Sequence, residues 1–120
     1  ESSNPDHVAV SKKRMELAAA KAHMDEHYTQ KRTLDDLQAQ FFINKYYLLT
    51  IFKETYGMTI SSYLISKRIT RAKQLLRFTQ MTIDEVGCAV GMDGAGYFSR
   101  MFKKAEGISP KEYRKQWQQR

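Results

Sequence analysis

Two histidines flank a glutamate in HMDEH (23–27), the H-x-x-E-H order that some zinc proteases use. His23 and His27 stand four apart on one helical face, a geometry zinc accepts. Catalysis needs a third protein ligand and a pocket. The only other histidine, His7, sits in a polar opening stretch. The pair therefore reads as ordinary surface or half-buried residues of a first helix. Cys88 cannot form an internal disulfide and has no histidine near it in sequence. It lies in the apolar DEVGCAVGM, where a buried free thiol is expected, and a reducing cytoplasm follows as the compartment. The glycines fall at turns and helix ends, so no phosphate-cradling loop is present. These residues imply no enzyme, no metal site and no cofactor.

What remains is charge. Lysine and arginine number 20 against 13 acids, giving +7 and a pI near 9.6. That balance favours a polyanionic partner, either nucleic acid or an acidic membrane surface, although a merely soluble basic protein fits charge alone equally well. No apolar run approaches the ~20 residues that span a bilayer, and of the two polyanions nucleic acid, not a membrane, is the expected partner. No signal peptide is visible. The chain opens at Glu1 with no initiator methionine, which suggests a piece of something longer.

The elements that would position the basic and polar side chains are helical throughout. No segment alternates with period two. Residues 1–9 read as a linker or disordered lead-in. Residues 10–60 form a first helix-turn-helix unit with an N-terminal helix, whose stripe is read as Met15, Ala18, Ala19, Ala22 and Met24. Thr33 caps LDDLQAQF, with Asp35 and Asp36 in the first turn. Asn44 caps a helix from Lys45 to about Tyr56, ended by Gly57. A linker helix occupies 61–78. Residues 79–120 form a second unit. Thr82 caps IDEVGCAV, a helix spans about Ala95 to Ala105, and Ser109-Pro110 opens the last helix, with Tyr113 and Trp117. The fold class is all-α, about seven helices, with two helix-turn-helix units joined by the long helix.

The two units are a repeat. YYLLTIFKETYGMTISSYL (46–64) aligns with GYFSRMFKKAEGISPKEYR (96–114), with Phe52 over Phe102 and Gly57 over Gly107. From Leu34 to Ile83 the offset is 49, and from Phe52 to Phe102 it is 50, so the turn gained one residue. In each unit a short helix, a turn and a second helix make the motif whose second helix enters a DNA major groove. Leu48, Ile51, Phe52 and Thr55 share one face of the first copy; Phe98, Met101, Phe102 and Ala105 share that of the second. These faces are expected inward. Tyr46, Leu49, Thr50 and Lys53 face outward in the first copy; Gly96, Ser99, Arg100 and Lys103 do so in the second. Inward faces match in type and outward faces differ, as two readers of different sequences would. The linker helix, roughly 18 residues, would rise about 27 Å, against ~34 Å between neighbouring major grooves on one side of B-DNA.

AKQLLRFTQMTIDEVGCAVGMDGAGYFSRMFKKAEGISPKEYR closely resembles the signature of the AraC-type transcription regulators. It has the A-x-x-L-L end of the linker helix, I-x-E-V, the Gly91-Met92 turn, Tyr-Phe-Ser-Arg, Phe-Lys-Lys, Gly-x-Ser-Pro and Tyr-Arg. The likeness covers about Thr33 to Arg114. It implies a bacterial DNA-binding domain of seven helices whose missing N-terminal partner domain senses an effector or dimerises. It also implies a double-stranded DNA operator and RNA polymerase as partners. The resemblance carries base contact to Tyr46, Leu49, Thr50, Gly96, Ser99 and Arg100. Gly94, Ala95 and Gly96 depart from the polar residues common there. Gly94 is read as the N-cap, and Arg100 and Ser99 are read as the chief readers of the second unit. Leu49 and Tyr46 suit thymine methyls.

Phosphate contact is assigned to Arg32, Lys45, Lys53, Lys103, Lys104 and Lys111, with helix starts at Thr33, Thr82 and Ser109 adding backbone N–H groups. Lys12, Lys13 and Arg14 are either a basic arm or a solvated helix start. Arg68 and Arg71 either approach phosphate or pair with acids of the flanking units. The rival reading is a helical module binding an acidic protein. RNA fits less well, because its A-form major groove is too narrow for a helix.

Overall fold

The computed structural model describes residues 5–94 and 96–118, with side chains from Lys12 onward. Seven α-helices and no strand occur among the described residues. They are α1 (Pro5–His27), α2 (Leu34–Phe41), α3 (Lys45–Tyr56), α4 (Ile60–Phe78), α5 (Ile83–Ala89), α6 (Tyr97–Glu106) and α7 (Pro110–Gln118). The expected lead-in 1–9 lies partly outside the described residues. From Pro5 the backbone is already helical, with proline at a first position where its missing N–H costs nothing. The chain divides into two compact units. One holds the residues up to His27 and Arg32–Ser62; the other holds Tyr28–Lys31 and Tyr63 onward.

In the first unit α1 packs on α2 and α3. Leu17, Ala20 and Met24 are its buried stripe, at i, i+3 and i+7, whereas Met15, Ala18, Ala19 and Ala22 are exposed. Of the expected stripe Met24 holds, and the other four positions were out of phase. Alanine favours helix on any face, so it does not mark which face is buried. Leu37, Ile43, Leu48, Phe52 and Ile60 complete this core, with Leu48 and Phe52 fully buried. Truncating Phe52 to alanine would cost about 3–5 kcal/mol, from lost transfer energy and the cavity left behind. Thr55, expected inward, is exposed, because the inward stripe continues to half-buried Tyr56, whose ring meets Phe52 at 4.8 Å between centroids.

The second unit centres on Ile69, Ala72 and Leu76 of α4, Val86, Val90 and Met92, Phe98 and Phe102 of α6, and Tyr113 of α7. Phe102 stacks edge-on against both Phe98 and Tyr113. Ala105 is exposed, unlike the expectation, and Glu106 beside it turns to Lys73 at 3.3 Å. The segment Tyr28–Lys31 is fastened into this unit. Arg68 Nε donates to Tyr28 O at 2.5 Å and its Nη2 to Gln30 O at 3.3 Å. Lys31 meets Asp93 at 2.9 Å. Gly91, at φ +83, approaches so closely that a Cβ there would lie 2.3 Å from Thr29 O.

Cys88 is exposed and not the buried thiol expected. Val86, Gly87 and Val90 take the inward positions of α5, and Cys88, one step of about 100° beyond Gly87, faces out.

Candidate nucleic-acid interface

In the first unit α2 and α3 begin with polar caps. Thr33 and Asp36 form a reciprocal box: Asp36 N donates to Thr33 Oγ1 at 3.1 Å, and Thr33 N to Asp36 Oδ2 at 2.9 Å. The backbone N–H of Thr33, and after it the Thr33 hydroxyl, hold the Asp36 carboxyl below its usual pKa. Asn44 Oδ1 accepts from the amides of Tyr46 and Tyr47, and Gln38 Oε1 accepts from Lys45 N at 2.7 Å. The first three amides of α3 are thus held by side chains, so this helix start offers little to a phosphate.

With Leu48 and Phe52 turned inward, α3 presents Tyr46 (69% exposed), Leu49, Thr50 and Lys53 to solvent. The Thr50 hydroxyl donates to Tyr46 O at 3.1 Å, so its oxygen retains lone pairs that can accept. Leu49, Thr50 and Lys53 line a shallow concavity of about 580 Å³ with Glu54 and Thr59. Lys45 is tied to Asp35 at 2.7 Å, and that bond raises its pKa above the ordinary lysine value. Arg32, half-buried, donates from Nη2 to Gln40 Oε1.

The second unit repeats this with differences. Thr82 and Glu85 form the same reciprocal box on α5, at 2.8 and 3.1 Å. The amide of Thr82, like that of Thr33, is therefore spoken for by a carboxylate, which also disfavours an approaching phosphate. The Ser109 oxygen accepts from Glu112 N at 3.1 Å at the start of α7. The N-cap of α6 is Gly96, in a left-handed conformation at φ 74, and not Gly94. Gly94 instead accepts from Tyr97 N at 3.1 Å in the preceding turn. The expected start of this helix at Ala95 lies outside the described residues, and α6 proper begins at Tyr97.

Gly96 therefore sits at the mouth of α6 and presents no side chain. A Cβ there would stand 3.0 Å from Arg100 Nη1, so the glycine gives the guanidinium its room. Arg100, Lys103 and Lys104 are exposed, Ser99 is half-buried and Lys111 is exposed on α7. A cleft of about 260 Å³ between α5 and α6 has Ser99 and Cys88 on its wall beside Asp84 and Asp93. Sequence spacing had given no sign of the side-chain cap from Gln38 or of the room made for Arg100; both depend on contacts across the turn.

Other candidates already have partners within the protein. Arg68 bonds main-chain carbonyls and not acids, and burial lowers its pKa. Arg71 reaches Gln74 on its own helix at 3.0 Å. Lys13 lies 4.7 Å over the Tyr47 ring. His23 and His27 stack at 4.4 Å, and no group of three His, Cys, Asp or Glu able to hold a metal occurs among the described residues. Among the described residues no helix is long and apolar enough to cross a membrane.

A repeated, capped two-helix block with one apolar and one polar, basic face defines a helix-turn-helix protein. The family model described as "Helix-turn-helix domain" matches residues 37–116. The chain belongs to the AraC-type helix-turn-helix family, the DNA-binding domains of transcription regulators. The uncharacterized HTH-type transcriptional regulator YisR of Bacillus subtilis is 37% identical over 108 residues, covering 90% of this chain and 37% of YisR. The C-terminal domain of AraT, a response regulator from Geobacillus stearothermophilus, superposes with TM-score 0.80 at 31% identity, covering 84% of each chain. The DNA-binding domain of AdpA, a global transcriptional factor solved with a target DNA, shares the fold at TM-score 0.79 and 24% identity, covering 86% of this chain and 93% of that one. The chain spans about a third of the length of the first curated relatives it matches.

Proposed function

We propose that this domain reads a double-stranded operator with both units, α3 and α6 entering successive major grooves as part of a longer bacterial transcription regulator. The observation that carries this reading is the repeated division of faces. Leu48, Phe52, Phe98 and Phe102 are 0–4% exposed, while Tyr46, Leu49, Thr50 and Lys53 on one helix and Arg100 and Lys103 on the other are exposed. Base contact falls to Tyr46, Leu49 and Thr50 in the first unit and to Arg100 and Ser99 in the second. Arginine can clamp guanine O6 and N7, and the apolar pair suits thymine methyls. Gly96 acts by making room for Arg100.

Phosphate contact falls chiefly to Lys53, Lys103, Lys104 and Lys111, with smaller shares for Lys45 and Arg32, whose side chains already have partners. The same two capped helix starts, at Thr33 and Thr82, orient their helices more than they bind anions. A cytoplasmic setting, activation through RNA polymerase and an effector-sensing or dimerising partner domain complete the proposal. Their support is that the relatives are longer regulators, among them an HTH-type transcriptional activator, RhaR of Cronobacter sakazakii. Selection of bound duplexes from a random pool tests the reading. Two distinct motifs about ten base pairs apart are expected. A single motif would leave one unit a scaffold, and no enrichment would overturn DNA reading.

A further inference from the structure

Phe42 is 90% exposed and holds φ 54, ψ 37, the only non-glycine residue with positive φ among the described residues. It ends α2 in the turn that leads to α3. The equivalent of Phe42 in the second unit, 49 residues on from it as Ile83 is from Leu34, is Gly91, also left-handed at φ +83. Glycine adopts that conformation without strain and a bulky aromatic does not. The next residue, Ile43, is 4% exposed and takes the inward position, so the Phe42 side chain projects from the turn. The first unit therefore tolerates two unfavourable features at one residue: a strained backbone and a bare aromatic ring. Strain of this kind gathers at functional sites.

We propose that Phe42 is a DNA-contacting residue whose ring packs on the deoxyribose edge of the groove that α3 enters. Its position supports this occupant. Phe42 lies two residues before the Asn44 cap of α3, and the exposed apolar series runs on through Tyr46 and Leu49, the base-facing residues of that helix. The ring thus stands exposed in the turn that leads into the reading helix. Deoxyribose presents C–H surface, which an aromatic face covers without displacing a counterion. The contact adds affinity in the first unit and carries neither base preference nor salt dependence. It rests on the DNA reading given above.

Phe42→Asn tests it, because asparagine accepts the left-handed turn and removes the ring. Phe42→Gly is the companion that frees the backbone fully. Both variants and the parent chain are titrated on the duplex that the parent selects, across a range of salt, and melted without DNA. Both variants are expected to melt at or above the parent, by up to a few degrees. Both are expected to bind roughly five- to tenfold more weakly, from lost apolar burial, with the preferred sequence and the slope of log affinity against log salt unchanged. Binding equal to the parent would overturn the inference. So would a shifted base preference, a slope smaller by about one, or a lower melting temperature. If the parent selects no duplex, the DNA reading itself falls; if it does and the variants bind alike, only the role of Phe42 falls.

Discussion

On the proposed reading, Arg100 concentrates what a single residue can do for specificity. Its guanidinium stands beside Gly96, exposed on α6, with five donors in a planar fork. Arg100→Ala is expected to relax preference in one half-site at a cost of ~1–3 kcal/mol, read by competition among randomised duplexes; an unchanged preferred site would remove Arg100 from the readers. Lysines divide by their partners. Lys53→Gln should lower the salt slope by about one, while Lys45→Gln should change it less, because Asp35 already neutralises that ammonium at 2.7 Å. His23 carries a pH signature. Burial first, then the charges of Arg32 and His27, lower its pKa from 6.5, against a smaller opposite pull from Glu26. The unfolded chain therefore takes up a proton that the folded one resists. The contribution of His23 to stability is full above about pH 6.5 and declines as pH falls below it. Thermal melts from about pH 7.5 to 5.5 should show this, and His23→Gln should flatten the decline.

Helix ends decide how well each element is specified. Asn44 holds two amides of α3, so Asn44→Ala should cost ~1 kcal/mol in denaturant unfolding. Gly91→Ala should cost more, at least ~2 kcal/mol, since the added Cβ meets a main-chain oxygen at 2.3 Å in a left-handed backbone. A melting temperature unchanged by Gly91→Ala would mean that Thr29 does not lie against that turn. The caps at Thr33, Asn44 and Thr82 were legible from sequence, because a cap is a local bond between residues two or three apart. The α6 start was not. Gly94 and Gly96 both suit a cap on composition, and only the backbone path distinguishes the turn residue from the cap. The buried face of α1 was misjudged for a related reason: alanine-rich segments carry a helical signal without a directional one.

On the scale of the whole molecule, the duplication was the most legible feature. A 49- and 50-residue offset preserves apolar pairs in the same helical phase, and each unit buries its pair as the phase dictates. Contacts between distant segments left no such trace. The bonds from Arg68 to Tyr28 and Gln30 span 40 and 38 residues and end on carbonyls, which every residue possesses. In sequence Arg68 could therefore be read as a phosphate ligand or as the partner of an acid, whereas it bonds carbonyls inside the second unit. The net charge of +7 favours a polyanionic partner but names no target.

Sequence selectivity in two separate stretches of DNA is the central claim. The most direct measurement selects duplexes from a random pool with the parent chain and, in parallel, with Thr50→Ala and Arg100→Ala. Two motifs are expected from the parent, with Thr50→Ala degrading one and Arg100→Ala the other. Loss of the same motif in both variants, or enrichment that neither variant alters, would contradict two independently reading helices.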